Sequence, residues 1–345
     1  IVYGMDELKS VVREAFDVAP GKPVLLDKFL EDAIELDVDA ISDGETTVIG
    51  GMLEHIEHAG VHSGDAGMVL PPHSLSPALV DEVRRITHSL AKRLKVVGLM
   101  NIQFAIKDGI VFMLEVNPRA SRTIPFVSKA IGVPLAKLAS LCMLGAKLKD
   151  LGFTREIRPP YWSVKESVFP FSRFPGAPVA LSPEMRSTGE VMGLDMSYDM
   201  AFAKSQLGAG MRMPMAGTVF ISVKDADKPK ILPAVRKLVE MGFRLVATGG
   251  TQRYFEDKGV PSTKINKVLE GRPHVVDAIK NGDIQLVLNT TETRASQSDS
   301  KPIRQTALMQ KVPYYTTLPG ILAVTKAIAA QKEGRLDVKP LQDYF

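Results

Sequence analysis

Residues 100–122 read MNIQFAIKDGIVFMLEVNPRASR. Two apolar segments in this stretch flank Lys107-Asp108-Gly109. A short turn containing Asp-Gly between two apolar segments is a strong hairpin signal. We therefore predict a β-hairpin here, and its polar residues suggest which of its faces carries a site.

The register of the hairpin decides which side chains share a face, because successive side chains of a strand point to opposite sides. A three-residue loop would pair Ile106 with Ile110 and put Gln103, Glu115 and Asn117 on one face. A two-residue Asp-Gly turn would shift the pairing by one and move Gln103 to the other side. If the three polar residues act together, they predict the three-residue loop.

These three side chains offer an amide oxygen, a carboxylate and a second amide oxygen. Such hard oxygen ligands suit Mg²⁺, which proteins usually hold with one or two carboxylates and the substrate's phosphates. Arg119 and Arg122 follow, and a guanidinium can meet phosphoryl or carboxylate oxygens in a fork geometry. Phosphoryl transfer needs mainly this charge neutralisation and alignment. The alternative is structural: Glu115 and Asn117 end a strand, and both arginines are solvated.

Composition narrows the class of protein. The 345 residues carry a net charge of +4, which is too small and too dispersed to favour nucleic-acid binding. The length predicts more than one domain, and no apolar run approaches the ~20 residues of a membrane span. The single cysteine, Cys142, excludes an intrachain disulfide and favours an inert, buried thiol in a reducing compartment such as the cytoplasm. The chain opens at Ile1 without methionine or signal peptide, which suggests that an upstream part is missing.

Residues 1–214 predict a mixed α and β region. An acidic–apolar alternation predicts that the strand at 35–42 has one wet face. The stretch 158–193 is rich in Pro and Gly and predicts extended connecting structure. The remaining predictions are helices at 5–15, 76–94 (with Ser76 as N-cap), 134–148 and 196–208, strands at 23–27 and 48–55, and an active loop at 60–73.

Residues 215–345 alternate between strand and helix patterns. This alternation predicts a doubly wound parallel sheet with helices on both faces. The expected strands are 217–223, 244–248, 262–265 and 284–289, and the expected helices are 230–241, 251–258, 274–281, 303–310 and 321–331.

An anion site is predicted at the carboxyl edge of that sheet. Residues 244–251, RLVATGGT, run from a strand through two glycines into a helix, where free N–H groups and the helix dipole can bind phosphate. Thr248 and Thr251 flank the turn, and residues 289–291 should lie at the same edge. Lys228 and Lys267 could add positive charge. Each motif alone is weak, because a Gly-Gly turn is more often structural.

Known motifs sharpen these predictions. Residues 115–119, EVNPR, followed by ASRT at 120–123, resemble the metal-binding signature of ATP-grasp ligases of the carbamoyl phosphate synthetase and biotin carboxylase group. The resemblance to the second synthetase half of the carbamoyl phosphate synthetase large subunit runs through essentially all 345 residues. Its further segments are 24–30, 60–65, 122–130, 132–137, 163–166 and 183–193.

The resemblance implies an α/β and α+β multidomain fold. Its parts are the C-terminal portion of an ATP-grasp domain at 1–127, a helical and extended connector at 128–214 and a methylglyoxal-synthase-like domain with a doubly wound parallel sheet at 215–345. It implies ATP, with Mg²⁺ or Mn²⁺ held by Gln103, Glu115 and Asn117, and a catalytic role for Arg122 beside Arg119 in holding carbamate. The implied nucleotide contacts, besides Gln103 and Glu115, are Lys28, Leu30, Glu35, Gly60, Val61, His62 and Ser63.

In the last domain the resemblance implies an effector site for the nucleotides UMP and IMP. No acidic Gly-Asp constellation of the true methylglyoxal synthase is present, so that activity is not expected. The implied effector contacts are Ser222, Lys228, Thr248, Thr251, Lys267, Asn289 and Thr291. An ornithine site between the domains is implied at Glu57, Asp65, Glu166, Tyr314 and Thr316.

The function implied is ATP-dependent phosphorylation of carbamate to carbamoyl phosphate, in pyrimidine and arginine biosynthesis. The implied partners are the N-terminal remainder of the large subunit, a glutaminase small subunit and a second copy of the chain. An ATP-grasp site is a clamp, and its first lobe precedes the residues present here, so the chain alone is expected to be inactive. Two alternatives stay open: an effector-binding module on an inert scaffold, and a stable fragment with neither activity.

Overall fold

Two sheets organise the chain. A computed structural model describes residues 2, 4–174, 181–292, 294–334 and 336–345. The first sheet and its helices precede residue 209, and the second sheet and its helices follow residue 217. The multidomain α/β and α+β fold predicted from the sequence is confirmed, with one antiparallel and one parallel sheet.

The first sheet has seven strands in the order β5-β4-β1-β2-β3-β6-β7, and all its neighbours are antiparallel. Its strands are β1 (Ile34–Asp43), β2 (Thr47–His55), β3 (Met68–Leu70), β4 (Val97–Lys107), β5 (Ile110–Asn117), β6 (Trp162–Val168) and β7 (Gly189–Asp195). The helices of this part are α1 (Met5–Val18), α2 (Pro77–Arg93), α3 (Ile124–Ile131), α4 (Leu135–Met143) and α5 (Tyr198–Gly208). As predicted, the Ser76 hydroxyl caps α2 by accepting a hydrogen bond from the Leu79 amide.

Two predictions in this region are wrong. Residues 23–27 form no strand and lie largely exposed. The wet face predicted for β1 is buried, since Asp37 and Asp39 are only 2% and 0% exposed. Alternation alone cannot separate a solvated acidic face from a buried one whose carboxylates have partners, and both aspartates have partners here.

The hairpin turn also differs from the prediction. Asp108 and Gly109 both have positive φ, 51° and 77°, so the turn has two central residues. Ile106 therefore pairs with Val111 and not with Ile110. A β-bulge between Gln103 and Phe104 then shifts the register by one more residue. The bulge restores the shared face that the three-residue loop was meant to provide.

Residues 158–193 contain more regular structure than predicted, although 175–180 lie outside the described residues. β6 pairs with β3, and β7 pairs with β6, so both strands extend the first sheet. α5 packs directly on β7 at Gly193, where an added Cβ would lie 2.0 Å from the Ala201 carbonyl oxygen. The segment is thus part of the first sheet's layer as well as a connection.

The second sheet has five strands in the order β10-β9-β8-β11-β12, all parallel. They are β8 (Thr218–Ser222), β9 (Arg244–Ala247), β10 (Thr263–Lys264), β11 (Leu286–Asn289) and β12 (Tyr314–Tyr315), the last of which the sequence did not predict. The helices are α6 (Lys228–Glu240), α7 (Gly249–Asp257), α8 (Val275–Lys280), α9 (Arg294–Met309) and α10 (Leu318–Glu333). α6 and α10 cover one face, while α8 and α9 cover the other, as predicted for a doubly wound sheet.

A continuous apolar core joins the two parts. Phe202 of α5 and Val164 of β6 belong to the same buried cluster as Ile221 of β8 and Ile321 of α10. The Thr317 hydroxyl donates a hydrogen bond of 2.9 Å to the carbonyl oxygen of Ile56. The second sheet is therefore packed against the end of the first.

Within the described residues, no single helix is long and apolar enough to cross a membrane. Only α3 and α4 taken together, with a bend of 111° between them, reach that length and composition.

Candidate functional site

The predicted metal ligands lie together on the hairpin. Gln103 faces Glu115 across the strand pair, and Asn101 faces Asn117. The Asn117 amide donates a hydrogen bond of 2.7 Å to Glu115 Oε1, and its Oδ1 accepts one of 3.1 Å from Arg119. The donor set fits Mg²⁺ chemically, because one carboxylate and two amide oxygens share an accessible face. Coordination by Asn117 Oδ1 would replace its contact with Arg119.

Next to this face, β1 carries two carboxylates around a buried histidine. His55 Nδ1 lies 3.3 Å from Glu35, and its Nε2 lies 3.7 Å from Asp37. Burial opposes the charged imidazole, but the two carboxylates outweigh it and raise the pKa of His55 to about 9. His55 is thus a cation at neutral pH and partly offsets the negative charge beside Gln103. No motif in the sequence marked His55.

The predicted nucleotide contacts come from two segments that meet at Gly60. The Gly60 amide donates a hydrogen bond of 2.9 Å to Glu35 Oε1. Gly60 has a φ of +86°, and a Cβ there would lie 3.2 Å from the Phe29 ring, so glycine suits both conformation and space. On either side of Phe29, Lys28 is exposed and Leu30 is half-buried. Phe29 was missed, although an aromatic residue between two predicted contacts is a usable signal.

A buried lysine holds the loop that continues from Gly60 through Val61, His62 and Ser63. The Lys165 ammonium is fully buried and donates hydrogen bonds of 2.7 Å to the Ala66 carbonyl oxygen and 3.3 Å to that of Ser63. Burial lowers the pKa of Lys165 from its ordinary value. His62 is tied by its own amide to the Ser182 carbonyl oxygen at 2.9 Å. Lys165 lies within a recognised motif, but its role could not be inferred without the fold.

Between the two sheets, the structure brings together three of the five residues predicted for the ornithine site. Burial, and for Glu166 also the charge of Glu57, raises the pKa of both carboxyl groups to about 7. Tyr314 interacts electrostatically with both carboxylates. The carboxylate of Asp65 instead accepts hydrogen bonds from the backbone amides of residues 186 and 187, at 2.8 Å each. Thr316 lies nearby, with its carbonyl oxygen 2.8 Å from His58 Nε2.

One more residue belongs to this carboxylate group. The Gln206 amide donates a hydrogen bond of 2.6 Å to Glu166, and its oxygen accepts one of 3.0 Å from the Tyr315 hydroxyl. Gln206 thus links Glu166 on the first sheet to β12 on the second. No sequence signal marked it, because α5 carries no motif.

All seven predicted effector contacts line one cavity of about 260 Å³ at the carboxyl edge of the second sheet. The Ser222 and Thr248 hydroxyls lie 3.0 Å apart, and the Asn289 amide donates a hydrogen bond of 3.0 Å to the Ser222 carbonyl oxygen. Lys228 donates to the Gly250 carbonyl oxygen at 2.9 Å and pairs with Asp225 at 2.6 Å. The seven are Ser222, Lys228, Thr248, Thr251, Lys267, Asn289 and Thr291.

Two basic residues were missed, one beside this cavity and one lining it. Arg304 donates hydrogen bonds of 3.1 Å to both the side-chain and the main-chain oxygen of Asn289. Lys224 lines the cavity and forms an ion pair of 2.7 Å with Asp32, which follows the nucleotide segment by two residues. This ion pair connects the cavity of the second sheet to the first part of the chain.

Comparison with known proteins finds two families, one in the part of the chain with the first sheet and one in the part with the second sheet. A family described as "Carbamoyl-phosphate synthase L chain, ATP binding domain" matches residues 1–151, and one described as "MGS-like domain" matches residues 230–316. The carbamoyl phosphate synthase large chain of Mesorhizobium japonicum is 58% identical over 94% of this chain and 28% of its own length. That of Myxococcus xanthus is 54% identical over 100% of this chain and 32% of its own length.

A solved structure, the biotin carboxylase domain of a thermophilic 2-oxoglutarate carboxylase bound to bicarbonate, aligns with a TM-score of 0.45 and 14% identity. The alignment covers 59% of this chain and 53% of that chain. The chain spans less than a third of the length of its curated relatives. The chain belongs to the carbamoyl phosphate synthase large-chain family, and it carries an ATP-binding domain followed by an MGS-like domain.

Proposed function

We propose that this chain supplies half of the site at which a carbamoyl phosphate synthase large chain phosphorylates carbamate with ATP. The observation that carries the proposal is the hairpin face, where a bulge brings Gln103 opposite Glu115 and leaves Asn117 on the same side. An arginine segment follows at once, so ligands for a metal and for a phosphoryl oxyanion lie next to each other. Phosphoryl transfer depends mainly on such positioned charge.

Gln103, Glu115 and Asn117 would hold the Mg²⁺ that accompanies the nucleotide, or Mn²⁺ in its place. When bound, this ion neutralises phosphate charge. Glu35 fixes the Gly60 amide, and Phe29 closes on the same glycine, so the two nucleotide segments are already joined. Arg119 and Arg122 would meet the oxygens of carbamate and of the transferred group.

The chain alone is proposed to be inactive in phosphoryl transfer. Its curated relatives are about three times longer, and the α1 helix has no buried residue among those described. An ATP-grasp site with one lobe lacks the closure that positions substrates and excludes water. The proposed partners are therefore the remainder of the large chain and a glutaminase subunit, with pyrimidine and arginine biosynthesis as the pathways and the cytoplasm as the compartment.

The test is direct binding of Mg·ADP to the 345-residue chain by calorimetry. Removing a protein metal ligand should weaken binding at least as much as removing its supporting partner, which commonly costs about 10–100-fold. Glu115→Gln should therefore lower the Mg·ADP affinity by about tenfold or more. Glu82→Gln, on the exposed face of α2, is the matched control. Equal affinities for Glu115→Gln and the parent chain would contradict the proposed site.

A second function, effector binding, is supported independently by the cavity in the MGS-like domain. Its hydroxyls, amide and lysines suit a nucleotide monophosphate such as UMP or IMP. Lys267 makes no ion pair in the part of the chain that the structure describes, while Lys228 is already paired with Asp225. Lys267 is thus the stronger candidate for the phosphate.

Ornithine is the proposed ligand of the Glu57 and Glu166 pair, because two adjacent carboxylates suit the ammonium groups of a diamino acid. Both carboxyl groups have a pKa raised to about 7, so a cationic ligand should bind better once they ionise. The affinity for ornithine, measured by calorimetry, should therefore be higher at pH 8 than at pH 6. Affinity that is independent of pH would argue against this pair as the site.

A further inference from the structure

The carboxylate of Asp39 lies beneath the arginine segment and accepts hydrogen bonds from three side chains. Asp39 is on β1 and is fully buried. Its Oδ1 accepts from the Asn101 amide at 2.9 Å and from the Ser121 hydroxyl at 2.7 Å, and its Oδ2 accepts from the Thr123 hydroxyl at 2.5 Å. Every donor comes from the hairpin or from the segment that follows it.

Two of these donors flank Arg122. Ser121 precedes it, Thr123 follows it, and their hydroxyl oxygens lie 2.8 Å apart. The backbone on both sides of Arg122 is thereby fixed to the sheet, while the Arg122 side chain itself is exposed. The third donor, Asn101, faces Asn117 across the hairpin. Asp39 therefore contacts residues on both sides of Arg122, and through Asn101 it also contacts the strand that faces Asn117.

A buried carboxylate at this position is not explained by stability alone. Burial raises the pKa of Asp39 to about 6, against the hydrogen bonds from Thr123, Ser121 and Asn101. Burying a charged group costs free energy, which its hydrogen bonds must offset. The hydrogen bonds around Asp39 instead resemble those that hold a catalytic or ligand-binding residue in its orientation.

We propose that Asp39 is a positioning residue for phosphoryl transfer, which holds residues 118–123 so that Arg122 meets the oxyanion beside bound Mg·ADP. This inference rests on the proposed function and names a residue that acts through another. A merely structural role would make Asp39 equally important for every ligand. A positioning role makes it important only where Arg122 is used.

The test measures two affinities by calorimetry: Mg·ADP for the chain, and inorganic phosphate for the chain saturated with Mg·ADP. Asp39→Asn keeps the shape but removes the charge, and Ser121→Ala/Thr123→Val removes the two flanking donors without touching Asp39. Both should leave the Mg·ADP affinity within about threefold, and weaken phosphate binding about tenfold, the loss typical of one charge-assisted hydrogen bond. Arg122→Ala should weaken phosphate binding at least as much.

A double-mutant cycle separates positioning from general damage. If Asp39 acts through Arg122, Asp39→Asn should change phosphate binding less than about twofold once Arg122 is alanine. The control is Asp43→Asn, because Asp43 is also a buried carboxylate on β1 but accepts from backbone amides at Glu45, Thr46 and Leu148. It should leave phosphate binding unchanged.

Several results would overturn the inference. These are wild-type phosphate binding in both network variants, or losses that add fully to that of Arg122→Ala. If the parent chain fails to bind Mg·ADP or phosphate, the proposed function fails, and hydrogen exchange then tests Asp39 separately. The amides of residues 119–123 should exchange faster in Asp39→Asn and in Ser121→Ala/Thr123→Val than in Asp43→Asn. Unchanged exchange in both network variants would refute the positioning role.

Discussion

The hairpin face of the first sheet and the cavity of the second differ in how much of a site each provides. On the hairpin, Glu115 and Arg119 lie on a surface that is exposed to solvent. In the second sheet, Thr248 and Asn289 are buried at the edge of a half-open cavity, and their side chains already make hydrogen bonds. A site that is preformed can bind its ligand within one domain, whereas a site built on one face needs a second surface to close it.

The largest expected effect appears when phosphoryl-transfer activity and effector binding are measured on the same preparation of the chain. The chain alone should give no measurable carbamate-dependent ADP release in a coupled assay, because we propose that the remainder of the large chain supplies the surface that closes the site. The same preparation should bind UMP or IMP with one site per chain in calorimetry. Turnover at the level of a complete synthase would show that the hairpin face needs no second surface. The proposed difference between the hairpin face and the cavity would then be wrong.

Substitutions in the cavity give the next largest effect. Lys267→Ala should weaken effector binding by about 2–3 kcal/mol, because it removes a charge-assisted contact, and Thr248→Ala by about 1 kcal/mol, because it removes a neutral one. Titrations of UMP and IMP against both variants measure this. Lys237→Ala, at an exposed position on α6, is the control and should bind like the parent chain. If Lys267→Ala and Thr248→Ala were both silent, the effector site would lie elsewhere.

The sequence predicted the second sheet better than the first. Strands β8, β9 and β11 and the helices α6, α7, α8 and α10 follow from apolar segments separated by turn residues. The two-residue strand β12 was missed, and α9 begins at Arg294, nine residues before the predicted start at 303. The strands of a parallel sheet that is covered on both faces are near-continuous apolar segments, which are easy to recognise between helix patterns. The cavity followed from the same signal, because the carboxyl ends of parallel strands meet at one edge.

In the first sheet, the errors arise where tertiary contacts override local pattern. The acidic face of β1 is buried because Asp37 and Asp39 meet a histidine and a network from distant residues. The hairpin register depends on a bulge between Gln103 and Phe104, and no local residue pattern announced it. Gln103, Glu115 and Asn117 therefore share a face as predicted, but a two-residue turn and a bulge produce it, and not the predicted three-residue loop.

A smaller effect concerns the carboxylate pair between the two regions. The pKa values of Glu57 and Glu166 are raised to about 7 in the folded chain, above the ordinary 4.5. The folded state therefore binds more protons than the unfolded state between about pH 4.5 and 7, so stability falls as pH rises through that window. We expect the pair to make the free energy of unfolding about 1–3 kcal/mol lower at pH 8 than at pH 5.

Urea unfolding at the two pH values measures this difference. Asp39 and His55 also have raised pKa values, so they too make the free energy of unfolding fall as pH rises. The contribution of the Glu57 and Glu166 pair must therefore be measured by comparing the parent chain with a variant. Glu57→Gln removes one charge of the pair and should reduce the difference between pH 5 and pH 8. A difference that Glu57→Gln leaves intact would mean that the pair is not coupled.

The smallest expected effect is at the Lys224–Asp32 ion pair, which joins the cavity to the nucleotide segment. Asp32 is half-exposed, and exposed pairs contribute about 0.2–1 kcal/mol, so Asp32→Asn should change the free energy of unfolding by no more than that. Its informative readout is coupling: the change in Mg·ADP affinity that saturating UMP causes, measured in the parent chain, Asp32→Asn and Lys224→Met. If the ion pair couples UMP binding to Mg·ADP binding, Asp32→Asn and Lys224→Met should reduce this coupling equally. The double variant should reduce it no further, because all three variants remove the same interaction. Coupling that survives in all three variants would mean that the shared apolar core around Phe202 and Ile321 connects the two sites without the ion pair.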